Sequence, residues 1–196
     1  MRLPNPSYKG NNSLEEVLLK RRSVREYKKL PLTIYEVSQL LWACQGVTEN
    51  TFKLRTSPSA GALYPLNVYL VVGEVEGLEK GVYKYNPNWH EIKLMKSGDI
   101  RDELYRFSLL QDCVRNAPIS IVISADYSIT TRKYGNRGIK YVHMEVGHVG
   151  ENLYLQATAL GLGTVAVGAF DDEKVRELLG IPDKEEVLYI MPVGRV

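Results

Sequence analysis

One long helical pattern constrains this chain more than any other feature. From Ile139 to Leu160 the apolar residues Val142, Val146, Val149, Leu153, Ala157 and Leu160 recur at steps of three and four, and Gly161 closes the run. That period predicts a helix of six turns or so. Gly147 and Gly150 lie inside it. Glycine weakens a helix, so two of them suggest that other backbone packs closely there. A helix this apolar needs a sheet or other helices to cover it.

The rest of the chain supplies them. Ser13-Leu14-Glu15-Glu16 and Thr33-Ile34-Tyr35-Glu36 are capping boxes that predict helices to about Arg22 and to Gly46. Asn67–Val72 and Ile119–Ser124 read as buried strands, and Gly81–Lys96 as a hairpin about Asn86-Pro87-Asn88. Asp99 opens a helix to Leu110, Val165–Val167 is a short strand, Asp171 caps a helix to Leu179, and Val187–Val193 is the last strand. Residues 47–60 read as loop. Strands and helices mix without strict alternation. The expected fold is α+β, with one sheet flanked by helices on both sides, over a single domain at 1–196.

The totals exclude several classes. A net charge of +2 leaves no broad nucleic-acid footprint. No apolar stretch approaches the ~18 residues of a membrane span, and the N-terminus has no apolar core of the signal-peptide type. Two distant cysteines, Cys44 and Cys113, make no metal or disulfide framework. The chain reads as cytoplasmic, with reduced thiols. Glu145-x-x-His148 is one potential metal motif, where a di-iron bundle needs two and further glutamates; no metal is expected.

Three segments carry chemistry. Arg21-Arg22-Ser23-Val24-Arg25 packs three guanidiniums and a hydroxyl together, the donor set that holds a phosphate. Ser57-Pro58-Ser59-Ala60-Gly61-Ala62-Leu63-Tyr64-Pro65 is a small-residue loop that lets backbone approach a flat ligand. Gly161–Phe170 is glycine-rich, yet it lacks the G-x-G-x-x-G spacing, and its helix precedes the glycines.

In combination and in order, these motifs resemble the FMN-dependent nitroreductase family, from about residue 14 to 195. The resemblance implies an FMN-binding sandwich with a central, mostly antiparallel sheet, in a homodimer of the domain-swapped type joined through its long helices. It implies that Arg21, Ser23 and Arg25, with Arg22 and the near-terminal Arg195, grip the FMN phosphate and ribityl chain. It implies that Ala166, Val167, Gly168 and Ala169 lay backbone along the flavin and donate an N–H to its N5. The family's Pro-Ser-x-x-Asn-x-Gln-Pro loop, contributed by the second subunit, becomes Pro58, Ser59, Ala60, Gly61 and Leu63 here, with Ala62 and Tyr64 in place of the amides. That departure resembles the SagB-type azoline dehydrogenase branch. So does Lys133-Tyr134-Gly135 ahead of Glu145-Val146-Gly147-His148, which implies that Lys133 and Tyr134 are catalytic. The implied activity is hydride transfer from NAD(P)H through FMN to a small acceptor such as a nitroaromatic, a quinone or a flavin. Two alternatives stay open: oxidation of azoline rings in a peptide, and a non-catalytic flavin-binding module.

Overall fold

The computed structural model describes all residues 1–196. In chain order its elements are α1 (Leu14–Lys20), α2 (Ile34–Gln45), β1 (Val47–Glu49), β2 (Leu54–Arg55), β3 (Leu66–Val72), β4 (Gly81–Asn86), β5 (Glu91–Ser97), α3 (Arg101–Phe107), α4 (Asp112–Asn116), β6 (Ile119–Ala125), α5 (Tyr127–Tyr134), α6 (Arg137–Ala159), β7 (Leu162–Thr164), α7 (Asp172–Leu179) and β8 (Glu186–Arg195). Six strands form one sheet in the order β5-β4-β3-β6-β8-β7. Every neighbouring pair in it is antiparallel.

The sheet separates two cores because strand side chains alternate between faces. On β3, Leu66, Val68, Leu70 and Val72 join α2 and α6 in one core. Tyr69 and Val71 point the other way, into the core made with α3, α4 and α7. Strand β6 is buried at all seven positions. Burial on both faces is why it reads as a continuous apolar run instead of an alternating one. The expected α+β sandwich with a central antiparallel sheet is the observed architecture.

Helix α6 presents Val142, Glu145, Val146, Val149, Leu153 and Ala157 to the sheet side. Gly161 follows it at φ 70°, the left-handed position that glycine fills at helix ends. Its opposite face is open. Ile139 is 41% and Met144 53% exposed, and a Cβ added at Gly147 would meet nothing within 4 Å. No helix is long and apolar enough to cross a membrane.

Local readings differ from the structure in four places. The stretch 47–60 contains the two-stranded ribbon β1–β2. The helix expected from Asp99 to Leu110 is shorter, α3 ending at Phe107 ahead of Leu109 and Leu110 with left-handed φ of 53° and 59°, and α4 follows where no helix was expected. Strand β7 ends at Thr164, and Val167 keeps a single bridge to Ile190. Helix α5 was unforeseen. Asp126 caps it by accepting from Ser128 N, and Lys133 and Tyr134 become its last turn.

Candidate functional site

The arginine cluster sits where α1 ends. Arg22 turns back and donates to the carbonyls of Leu19 (3.0 Å) and Arg21 (2.7 Å), closing the helix end. Arg21 lies over the Tyr154 ring, 5.1 Å from its centroid. Ser23 Oγ and Tyr154 Oη are 3.0 Å apart, and Tyr154 Oη accepts the Ala166 N–H at 2.8 Å. Tyr154 therefore ties Arg21, Ser23 and Ala166 into one corner. Sequence reasoning missed it, because a tyrosine on a helix gives no sign of which distant groups its hydroxyl will meet. Val24 N donates to Thr164 O, so the arginine segment runs beside β7. Arg25 is exposed there. Neither Arg21 nor Arg25 has a carboxylate partner, since both are missing from all nine ion pairs.

Arg195 behaves differently. Its guanidinium forks onto Glu36, with both N···O distances 3.0 Å, and its Nε–H donates to Pro31 O. Glu36 also caps α2 through Thr33. Arg195 thus reaches this edge of the sheet with three of its five N–H donors engaged, two of them by a carboxylate the sequence had marked only as a helix cap.

Within the glycine-rich segment the backbone donors divide. Ala166 N–H goes to Tyr154, and Val167 N–H goes to Ile190 O at 2.9 Å. Gly168 and Ala169 are exposed, and their N–H groups have no partner in the chain. A Cβ at Gly168 would meet Tyr189 at 3.8 Å, an ordinary contact, so sterics do not require glycine there.

The small-residue loop is tightly held. Asn152 Nδ2 donates to Ser57 Oγ (2.9 Å) and to the carbonyls of Ala43 and Thr56, which fixes the loop before Pro58. Ser59 Oγ donates to Glu145 Oε2 at 2.5 Å and accepts the Tyr64 N–H at 2.9 Å. Ala60–Ala62 form one 3-10 turn, with Leu63 half-buried behind it. Gly61, Ala62 and Tyr64 have φ of 64°, 55° and 52°. Two non-glycine residues in that region store strain that the surrounding contacts must hold.

Lys133 and Tyr134 reach this loop. A Cβ built on Gly61 would lie 2.7 Å from Tyr134 Oη and 2.9 Å from Lys133 Nζ. Glycine takes the positive φ at 61 without strain, and the tips of this pair would have to shift to admit a side chain there. The Tyr134 ring packs edge-on against Tyr141, with centroids 5.1 Å apart.

Beneath the loop is Glu145, 3% exposed. Its Oε1 has no hydrogen-bond partner. Burial raises its carboxyl to about 7, against the pull of the Ser59 hydrogen bond, the Arg55 charge and the Gln45 amide. Arg55 stacks on Tyr64 at 4.4 Å and donates to Gln45 Oε1 at 2.7 Å. The sequence pattern had pointed to Glu145 as half of a metal pair with His148, which is exposed, and as part of the Glu145-Val146-Gly147-His148 resemblance, but not as a buried partner of Ser59.

The corner is anchored on α6 at Tyr154, and the loop at Glu145 and Asn152. Steps of 100° per residue put Glu145 and Asn152 on the flank of the helix opposite Tyr154, with Glu145 about 14 Å from Tyr154 along the axis.

The chain matches the model of the Nitroreductase family over residues 18–195. It is 55% identical over 183 residues to a protein of Methanocaldococcus jannaschii named as a putative nitroreductase, covering 93% of this chain and 90% of that one. A crystal structure of a protein described in the same words, from Ralstonia eutropha JMP134, superposes with a TM-score of 0.87 at 28% identity, over 99% of this chain and 88% of that one. The fold also matches a chain of the Escherichia coli microcin synthetase McbBCD complex with truncated pro-MccB17 bound, with a TM-score of 0.77 at 23% identity over 98% and 76% of the two chains. The matched region takes in the whole sheet, α6, the arginine corner and the 57–65 loop, and the chain belongs to the nitroreductase family.

Proposed function

We propose that this nitroreductase-family oxidoreductase binds FMN and passes hydride from NAD(P)H to a small acceptor such as a nitroaromatic, a quinone or a flavin. The observation that carries the reading is the donor set around Tyr154. Arg21 and Arg25 are cations without carboxylates, and Ser23 lies between them. Gly168 and Ala169 add two unpaired backbone N–H groups on the segment that follows Ala166. A phosphate dianion needs more than one charge-assisted donor, and a planar ring with acceptor atoms suits exposed amides. This donor set fits a phosphate-bearing flat cofactor. FMN, when bound, supplies the hydride chemistry.

In this reading Arg21, Ser23 and Arg25 hold the phosphate, with Arg22 at the rim. Arg195 acts indirectly, by fixing Glu36. Gly168 and Ala169 orient the ring, beside Ala166 and Val167. The 58–63 loop closes the site of a second copy. The placement of loop and corner on opposite flanks of α6 supports that exchange, as does the open α6 face about Gly147. The site is then complete only in a homodimer.

Chromatography of the flavin released from purified protein tests the cofactor. FMN is expected; FAD, or no flavin after reconstitution, refutes the reading. Oxidation of NAD(P)H with an acceptor separates an enzyme from a binding module.

One observation favours a second reading, azoline oxidation. Lys133 and Tyr134 converge over Gly61, so a proton-transfer pair would border the substrate side of the site. Stopped-flow reduction divides the two. In a reductase, Tyr134→Phe leaves flavin reduction by NAD(P)H nearly unchanged. In an azoline oxidase it lowers turnover of the ring substrate by roughly 10²–10⁴-fold with flavin content intact.

A further inference from the structure

Ser59 has one hydroxyl hydrogen and two lone pairs, and two of these three positions are already committed. The Tyr64 N–H occupies one lone pair. The bond to Glu145 Oε2 occupies either the hydrogen or the second lone pair, according to which oxygen carries the proton. With an ionised Glu145, Ser59 must donate to it, and a lone pair is left for the open side of the loop. With a neutral Glu145, the carboxyl can donate to Ser59 Oγ, and the Ser59 O–H is left instead. We propose that Glu145 is a positioning residue whose protonation sets whether Ser59 offers the loop's ligand a lone pair or an O–H donor. The inference rests on the reading that the 58–63 loop covers the ligand.

Three features carry it. Ser59 is only half-buried, on the loop that the proposed function places over the ligand. Ser59 is the one donor at hydrogen-bond distance from Glu145; the second carboxyl oxygen has none, and the Gln45 Nε2 that also draws on the carboxyl is itself without a partner at that distance. A buried carboxylate left half-satisfied is costly in the charged form, which brings the two protonation states close in energy. The groups around Glu145 are few. Arg55 faces it from β2, Gln45 from the end of α2, and Ser59 from the loop. On α6 itself Tyr141 lies one turn before it and His148 one turn after, with His148 exposed. Lys133 and Tyr134 of α5 reach the loop at Gly61, and Tyr134 packs on Tyr141. Arg55 is the one cation identified as acting on the carboxyl, and it has no carboxylate within ion-pair distance.

The sign follows from the charge. An anionic ligand is repelled by ionised Glu145 and welcomed by a Ser59 donor, so both effects favour the protonated state. Relative to Glu145→Gln, which cannot ionise, the wild-type protein binds FMN roughly 3- to 10-fold more weakly at pH 8.5 than at pH 5.5, the scale of one hydrogen bond. The phosphate's own ionisation is common to both proteins and cancels in the ratio.

Two measurements separate the inference from the reading beneath it. In the cofactor-free protein, the Tyr64 amide resonance is followed from pH 5 to 9. It should move with a midpoint near 7 in wild type and stay flat in Glu145→Gln. FMN titrations of the same two proteins give the affinity ratio. FMN binding with a flat Tyr64 amide, or with a ratio independent of pH, overturns the switch and leaves the FMN reading standing. A titrating Tyr64 amide without FMN binding at any pH keeps the switch within the loop and sinks the reading that gives it a ligand. The wild-type amide titration needs no variant, so misfolding of Glu145→Gln cannot shield the inference.

Discussion

Glu185 and Glu145 are buried to the same 3% exposure, one beside each core. Glu185 receives Tyr69 Oη at 2.9 Å, Ser124 Oγ at 2.6 Å and Lys84 Nζ at 3.3 Å. Both its oxygens are used and its charge is matched. Glu145 receives Ser59 Oγ alone, and Arg55 influences it without a direct ion pair. A buried carboxylate costs little once donors replace its water, and much when they do not. The first arrangement secures a fold. The second leaves a group whose protonation responds to its surroundings, beneath the loop that carries the candidate site.

The largest effect is expected on the satisfied side. Glu185→Ala leaves the Tyr69 and Ser124 hydroxyls unpaired and takes the partner from the one-third-exposed Lys84, and should destabilise the chain by about 3–5 kcal/mol in a urea titration. A loss below about 1 kcal/mol would mean that the Glu185 cluster contributes as little as a surface pair.

Glu145→Gln should go the other way as pH rises. The carboxyl's folded value, about 7, lies above its ordinary 4.5, so between these values the folded state holds more protons than the unfolded one. The stability this contributes is full below about pH 4.5 and is lost as pH rises through 7, for a total on the order of 3 kcal/mol. Glutamine removes that dependence. The variant should gain on wild type from pH 5 to pH 8, and parallel pH–stability curves would show that Glu145 does not titrate in this range.

Arg21 extends the contrast to a charge with no carboxylate at all. Arg21→Ala should weaken FMN by about 1.5–3 kcal/mol, the scale of a hydrogen bond to a charged group, while stability moves by no more than about 0.5 kcal/mol. An unchanged FMN titration would remove it from the phosphate grip.

Ser59→Ala is expected to have the smallest effect, about 1–2 kcal/mol of stability, because it strips Glu145 of its one donor and leaves the Tyr64 N–H unpaired. It should also raise the Glu145 carboxyl further, since the Ser59 bond lowers it. Carboxyl infrared absorption followed against pH reads that shift directly. A shift downward would mean that the bond favours the neutral acid.

Several elements were legible because their signals are local. The capping boxes at Ser13/Glu16 and Thr33/Glu36 form as read, with both reciprocal bonds in place. Asp171 caps α7 by accepting from Lys174 N. Helix α5 was not legible. Tyr127-Ser-Ile-Thr-Thr-Arg-Lys-Tyr has β-branched residues in its middle and one fully buried position, Thr130. Propensity and periodicity both fail there, and packing against α6 decides. The arginine segment stood out because clustered guanidiniums are unusual in any context. Tyr154, Asn152 and Arg55 did not, because each became informative only through partners brought to it by the fold.

The sequence by itself determined the apolar face of α6 and the buried runs of the central strands, where most helices start, and that a donor cluster lies at the end of α1. These depend on residues within a few positions of one another. Tertiary structure alone decided that Ser59 meets Glu145 across 86 residues, that Tyr69 meets Glu185 across 116, and that Arg195 is taken by Glu36 across 159. It also decided that the loop and the arginine corner fall on opposite flanks of α6. Desolvation and hydrogen-bond partnership depend on which distant groups share a pocket, and local pattern carries no record of that.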